Sequence, residues 1–415
     1  MKVLIIGGGV MGLCSAYYAR QRGLEVTVVE RDPEERNGCS FGNAGMIVPS
    51  HFVPLAAPGM VALGLKWMWN PESPFYIKPR FSYELMDWAW KFWRAANAGH
   101  VEKAGPLLRN LHIASRSCFE ELAELPDNDF GLRKNGLLML CREERTWEEE
   151  GRMAARARAL GITAQVLDSK ETAELDPHVR MEVRGSVYFP EDCHLIPNRF
   201  MAGLLRILKA QGVTFRWRTE VTGWRVEDRK VSALETTEGD MRADEYLICG
   251  GVWSPSIGKD LALTIPMQAG KGYSMTMEAP RQLPTICSIF TEARVAVTPM
   301  GSSLRFGGTM EIAGVNDRVD PRRVRGIVKS VPRYYPEFRV EDFEGVPVWH
   351  GLRPCSPDGL PYVGRVGRYD NLSVATGHAM LGLSLGPITG RLMGEILSGH
   401  EPSMEIGMLD PERYG

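Results

Sequence analysis

MKVLIIGGGVMGLCSAYYARQRGLEVTVVE, residues 1–30, is the stretch whose reading decides the fold. Lys2 to Ile6 is a short aliphatic run, long enough for one parallel strand buried on both faces. It breaks at Gly7-Gly8-Gly9-Val10-Met11-Gly12, which fits G-x-G-x-x-G with Gly7, Gly9 and Gly12. Leu13 to Arg22 then reads as a helix closed by Gly23, and Glu25 to Val29 as a second strand ending on the acid Glu30. Each part has a task in binding a dinucleotide. The first glycine allows the tight turn, the second lets backbone approach a pyrophosphate, and the third lets helix and strand pack closely. The pyrophosphate is met by free N–H groups at the helix N-terminus. Glu30, 18 residues beyond Gly12, is placed to accept hydrogen bonds from ribose hydroxyls.

At 415 residues, 44% of them apolar, the chain can bury a large core and is expected to form two domains. A formal net charge of −2 with no basic run argues against a nucleic-acid partner, since a row of phosphates would go unneutralised. The eight cysteines are scattered, without C-x-x-C or paired histidine spacing, so neither a metal site nor a disulfide framework is expected. The first strand begins at residue 2, leaving no room for a signal peptide, and no run reaches the ~18 apolar residues of a membrane span. A cytoplasmic protein with reduced thiols is the expectation.

Beyond Glu30, the segment Cys39-Ser40-Phe41-Gly42-Asn43-Ala44-Gly45-Met46 suits a loop lying along a cofactor. Between Pro54 and Asn97 stand Trp67, Trp69, Trp88, Trp90 and Trp93, half of the chain's ten tryptophans. Buried helix faces, an oligomer interface and an interfacial membrane patch all fit them, buried faces first because aromatic stripes at helical spacing are usually core. Ala104 to Leu125, the polar stretch Arg142 to Leu160, and Pro197 to Gln211 read as helices. Val213 to Trp217, Glu220 to Val226, Val231 to Thr237 and Asp244 to Cys249 read as strands, the last ending at Gly250-Gly251-Val252-Trp253. No second G-x-G-x-x-G follows, which argues against a reductase that also binds NAD(P)H. Ile265 to Val346 alternates as strands, with a helix near Pro321 to Val331. The tail carries Gly351-Leu352-Arg353-Pro354, Pro357-Asp358-Gly359, the strand Leu372 to Thr376, and Gly377-His378-Ala379-Met380-Leu381-Gly382 opening a helix to Leu397.

Together with Ala56-Ala57-Pro58-Gly59, Lys66-Trp67-Met68 and Lys271-Gly272-Tyr273, these motifs resemble those of the FAD-dependent D-amino acid oxidoreductases of the glycine oxidase and D-amino acid dehydrogenase type. The resemblance covers nearly the whole chain, and Ala56 to Met68 looks most like the bacterial dehydrogenases. It implies an α/β fold. A Rossmann-like FAD-binding domain would comprise 1–54, 192–266 and 348–415. An inserted α+β substrate domain, with an antiparallel sheet and helices, would comprise 55–191 and 267–347. It implies noncovalent FAD held by Gly7, Gly9, Val10, Met11, Gly12, Glu30, Arg31, Ser40, Asn43, Ala44, Gly45, Met46, Val221, Gly250, Gly251, Trp253, Gly377, His378, Leu381 and Gly382.

The family's carboxylate-gripping arginine falls on Arg353, a role that suits a bidentate, always-charged guanidinium. His378 and Tyr273 are further catalytic candidates. Two departures stand out: the carboxylate-binding tyrosine of glycine oxidases is replaced by Ala296, and the cysteine that anchors FAD in sarcosine oxidases by Gly351. The implied reaction is oxidation of a D-amino acid, or a cyclic or secondary amino acid, by hydride transfer from Cα to flavin N5, giving an imine. The implied acceptor is a quinone or electron-transfer partner, with the Trp-rich stretch as a peripheral membrane contact. An oxidase of glycine or sarcosine, a nicotinamide-dependent dehydrogenase and an electron-transferring subunit are the rivals.

Overall fold

Lys2–Ile6 forms the centre of a six-stranded sheet because its apolar side chains are covered on both faces. The computed structural model describes residues 1–67, 70 and 72–415. In spatial order the sheet runs Tyr362–Arg365, Leu372–Thr376, Glu245–Ile248, Lys2–Ile6, Glu25–Val29 and Thr214–Arg216, with every pair parallel except the first. Helices Val10–Gln21 and Gly382–Leu397 pack together on one face, joined by Pro197–Ala210. The two-stranded ribbon Val221–Glu227 with Lys230–Thr236 helps cover the other.

The contact between the first two helices follows from composition. Gly386, Gly390 and Gly394 repeat every four residues on helix 382–397 and face Val10, Cys14 and Tyr18, which have the same spacing on helix 10–21. A Cβ on Gly390 would lie 2.5 Å from the Cys14 carbonyl carbon, so only glycine admits this approach.

The second sheet has nine strands. Its main path is Val348–Cys355, Gln268–Met277, Ser303–Ile312, Val295–Met300, Cys287–Phe290, Leu137–Cys141, Gly185–Phe189 and Gln165–Asp168, with Phe75–Ile77 paired to Ser303–Ile312. It is antiparallel apart from two parallel pairs. One face packs on helix Pro321–Tyr334. Leu137–Cys141, Gln165–Asp168 and Gly185–Phe189 had no expectation from sequence; the first is buried at all five positions and so shows no alternation.

Two segments cross the expected domain bounds. Helix Ala98–Ala123 packs on helix 382–397 in the cofactor-side core, through Leu108, Leu111 and Phe119 among others. Strand Val348–Cys355 pairs with Gln268–Met277 in the nine-stranded sheet, which puts Arg353 on that sheet.

The tryptophans divide. Trp88 is buried and its Nε1 donates to Cys355 O at 2.9 Å. Trp90 and Trp93, on the outer face of helix Tyr83–Ala95, are 53% and 62% exposed, so the buried-face expectation fails for them. Trp69 and Met68 lie outside the described residues. No helix among the described residues is long and apolar enough to cross a membrane.

Gly390→Val is expected to lower stability by about 2 kcal/mol or more, through forced separation of the two helices. A drop in thermal midpoint of several degrees, with loss of bound flavin, is the readout.

Candidate functional site

At one end the cleft is built around Gly7–Gly12. Gly7 has φ +109°, and a Cβ there would lie 2.5 Å from Cys249 O. A Cβ on Gly12 would lie 1.8 Å from Gly7 O, whereas above Gly9 the nearest atom is Ser40 Oγ at 3.9 Å. Gly12 is therefore needed for packing, and Gly9 leaves open space in front of the helix N-terminus. Ser40 Oγ accepts the Val10 N–H at 3.2 Å. Glu30 accepts the N–H groups of Gly8 at 2.7 Å and Asp32 at 3.0 Å, which orients its carboxylate at the cleft wall. Arg31 stacks 3.8 Å above Trp253, and Val221, Gly250 and Gly251 line the same stretch. Arg36 lacked a sequence expectation: it is buried, donates through Nε to Gly8 O at 3.1 Å, and lies 4.6 Å over Trp217.

The middle of the cleft is walled by the Phe41–Asn43 loop, which the larger sheet holds by its carbonyls. Arg305 Nη1 donates to Phe41 O at 3.2 Å and Asn43 O at 2.8 Å, while Ser274 Oγ donates to Gly42 O at 2.9 Å. Burial pulls the Arg305 guanidinium down to about 10, still charged at neutral pH. The Trp349 ring occupies the space a Cβ on Gly42 would need. Nothing local in the sequence marks Arg305 or Ser274, because their partners lie more than 200 residues away. Asn43 Oδ1 accepts the Gly45 N–H at 2.8 Å, turning the chain toward Met46.

The far end belongs to Arg353. Its side chain lies across Gly272, where a Cβ would be 2.1 Å from Nη2, and Nη1 donates to Thr309 O at 2.6 Å. Thr309 has φ +68° at a register shift between strands 268–277 and 303–312, a bulge that turns its carbonyl to the guanidinium. No carboxylate lies within 4 Å of Arg353 among the described residues. Burial holds it below the ordinary arginine value. His378 faces the cleft next to the start of helix 382–397; its Nε2 meets Thr389 Oγ1 at 3.0 Å and its Nδ1 is buried without a partner.

Gly7, Gly9, Val10, Met11, Glu30, Arg31, Ser40, Asn43, Val221, Gly250, Gly251, Trp253, Arg353, His378 and Gly382 thus line one cleft. Gly12 supports it from behind, and Gly377 (φ +80°) fits its turn against Tyr362. Ala44, Met46 and Leu381 pack in the core between the two sheets, and Gly45 turns against Leu195. Tyr273 does not reach the cleft. Strand alternation puts it on the face that packs with helix 321–334, where its hydroxyl bonds Glu311 at 2.6 Å, so the catalytic expectation for it is corrected to a structural role.

A glycine-rich turn with an acid at the end of the next strand, and a second helix N-terminus at the other end of one cleft, define the class of dinucleotide-cofactor proteins. Similarity to known proteins narrows that class. The family model described as DAO, FAD dependent oxidoreductase, matches residues 2–396. D-amino acid dehydrogenases of Granulibacter bethesdensis and Bradyrhizobium diazoefficiens are each 31% identical over all of this chain and 100% and 99% of their own lengths. The glycine oxidase structure from Geobacillus kaustophilus superposes with a TM-score of 0.79 at 24% identity, covering 99% of this chain and 98% of that one. The chain belongs to the DAO family of FAD-dependent oxidoreductases, and FAD is its cofactor.

His112, His194 and His378 are at most 2% exposed, and burial pulls them to about 3, 4 and 3. Unfolding lets each take up a proton below its ordinary 6.5, so their stabilisation is present above that pH and lost as pH falls. His51, lowered to about 4 by burial and the charge of Arg294, adds a fourth proton, while Asp192, raised to about 7 by burial, acts oppositely and offsets one of the four. Stability should therefore fall by about 4 kcal/mol per pH unit in the region of pH 5, a three-proton slope that urea midpoints across that range would measure.

Proposed function

We propose that the protein oxidises the Cα–N bond of D-amino acids, with cyclic or secondary amino acids such as D-proline among its substrates. The observation that carries this is Arg353, a cation at the ring end of the cleft that no protein carboxylate neutralises among the described residues. Keeping an unpaired guanidinium in such a place is costly unless a ligand supplies the anion. An amino acid carboxylate matches its fork, and the named function of the full-length relatives supports the same substrate class.

The cleft fits FAD: open space above Gly9 admits a pyrophosphate to the Val10 and Met11 N–H groups, Glu30 suits a ribose, and the orphaned His378 Nδ1 leaves a polar atom for the ring end. When bound, FAD supplies the hydride acceptor. The chain's own part is orientation. Thr309 O and Gly272 aim Arg353, Arg353 fixes the substrate carboxylate, and the braced Phe41–Asn43 loop keeps the cleft wall in place. Helix 382–397 points its N-terminus at the same end, where its dipole favours developing negative charge. His378, pulled to about 3 by burial, stays neutral and contributes hydrogen bonding rather than charge. Ala296, small where the resembling oxidases carry tyrosine, favours substrates bulkier than glycine.

FAD is noncovalent in this reading, because Gly351 offers no thiol and Cys355 is wholly buried. Electrons leave to a quinone or an electron-transfer partner, and the protein sits peripherally on the inner face of the cell membrane. Support comes from the exposed Leu65, Phe81, Tyr83, Met86, Trp90 and Trp93, gathered in one segment.

Two outcomes are expected. Arg353→Ala should raise the apparent Michaelis constant for D-proline about 100-fold or more while FAD stays bound, as removal of a charged hydrogen-bond pair from a closed site does; unchanged steady-state kinetics would refute the carboxylate assignment. Anaerobic D-proline or D-alanine should bleach the flavin absorbance, and reoxidation in air should be slow beside a quinone analogue. Rapid peroxide release would favour an oxidase instead.

A further inference from the structure

Asp192 is wholly buried, yet its nearest partner is not a cation but a serine. Its Oδ1 accepts the Ser50 N–H at 3.0 Å and its Oδ2 accepts the Ser50 hydroxyl at 2.5 Å. Ser50 Oγ also stands 3.0 Å from His51 Nδ1. The one hydroxyl proton is already given to the carboxylate, so Nδ1 is the donor in this second contact. That fixes the imidazole tautomer and leaves Nε2 a bare acceptor without a hydrogen-bond partner among the described residues.

The position of this chain of groups is set by the two sheets. Arg353 reaches over Gly272 to Thr309, the residue after Gly308, which pairs with Val295. The guanidinium therefore stands beside the strand carrying Ala296. Ala296 packs in one cluster with Met46, Val48 and Leu381, which ties the segment leading to His51 onto that same place. Arg294, two residues before Ala296, is close enough for its charge to bear on His51. Arginine head and imidazole thus come to the strand carrying Ala296 from different elements.

We propose that His51, Ser50 and Asp192 form a proton relay that takes the amine proton of the substrate as its Cα–H departs. The relay rests on the reading of the protein as an amino acid oxidoreductase. With FAD bound, the flavin would accept the Cα–H electron pair as hydride, and the N–H pair would become the second bond of C=N. The released proton goes to His51 Nε2, the Nδ1 proton passes to Ser50 Oγ, and the hydroxyl proton passes to Asp192. Charge and protons balance, and the imidazole ends as its other tautomer. Affinities run in the needed direction: burial, with the charge of Arg294, lowers His51 to about 4, so it hands a proton on. Burial raises Asp192 to about 7, with Glu191 adding to the rise while Ser50 and Arg116 oppose it. A base near the working pH is the efficient choice.

The test is anaerobic stopped-flow bleaching of the flavin by D-proline from about pH 5 to 9, with flavin content and the D-proline dissociation constant measured alongside. Wild-type reduction should slow below about pH 7 with the loss of one base. Asp192→Asn and Ser50→Ala should cut the limiting rate about 100-fold and abolish that limb, with flavin content and dissociation constant within about threefold. Ser50→Thr, which keeps the hydroxyl, should restore both. His51→Gln leaves the buried carboxylate untouched and should show the same loss, deciding the matter if the Asp192 variant fails to fold. An unchanged rate and limb in flavin-loaded His51→Gln, or a change in dissociation constant alone, overturns the relay. A wild-type flavin that no amino acid bleaches overturns the function beneath it, a result independent of any variant.

Discussion

Everything at the cleft depends on how closely helix 382–397 lies on helix 10–21. The three glycines at four-residue spacing remove the side chains that would hold these helices apart. Both helices then begin at the same cavity, Val10 at one end and Gly382 toward the other, with Met11 in contact range of the space beside Gly382. Two dipoles of the same sense converge there, which suits a cofactor carrying phosphates at one end and accepting negative charge at the other. A bulkier pair of helices would still cover the sheet but would not bring both N-termini to one ligand.

The larger sheet is fitted to this arrangement by long-range hydrogen bonds rather than by a shared strand. Ser274 and Arg305 hold three successive carbonyls of the Phe41–Asn43 loop, so the wall of the cofactor cleft is fixed by residues of the nine-stranded sheet. Arg353 is placed by a related device, a glycine opposite it on the neighbouring strand and a bulge one strand further on. Positions where an ordinary residue would clash or lie flat are the ones that aim the chemistry.

Signals local in sequence were legible. The glycine turn and Glu30, the strand 372–376 and the helix beginning near Gly382 all carry their meaning within a few residues, and their structure follows it. Arg353 could be singled out because its neighbours form a motif. Tyr273 also stands in a motif, but which face of a strand a side chain takes depends on register with strands far away, and the register turned it to the core. Arg36, Arg305 and the Asp192–Ser50–His51 chain were invisible for the same reason, since their partners meet only after folding. The strands at 137–141 and 185–189 were missed because burial on both sides erases the alternation by which strands are read.

The hydrogen bond from Trp88 to Cys355 O gives helix 83–95, with its exposed outer face, a direct hold on the interior. Helix 83–95 shows Trp90 and Trp93 to the surroundings and, one turn away, grips the carbonyl two residues from Arg353. One helix thus joins an exposed aromatic face to the strand that carries Arg353 through a single buried hydrogen bond.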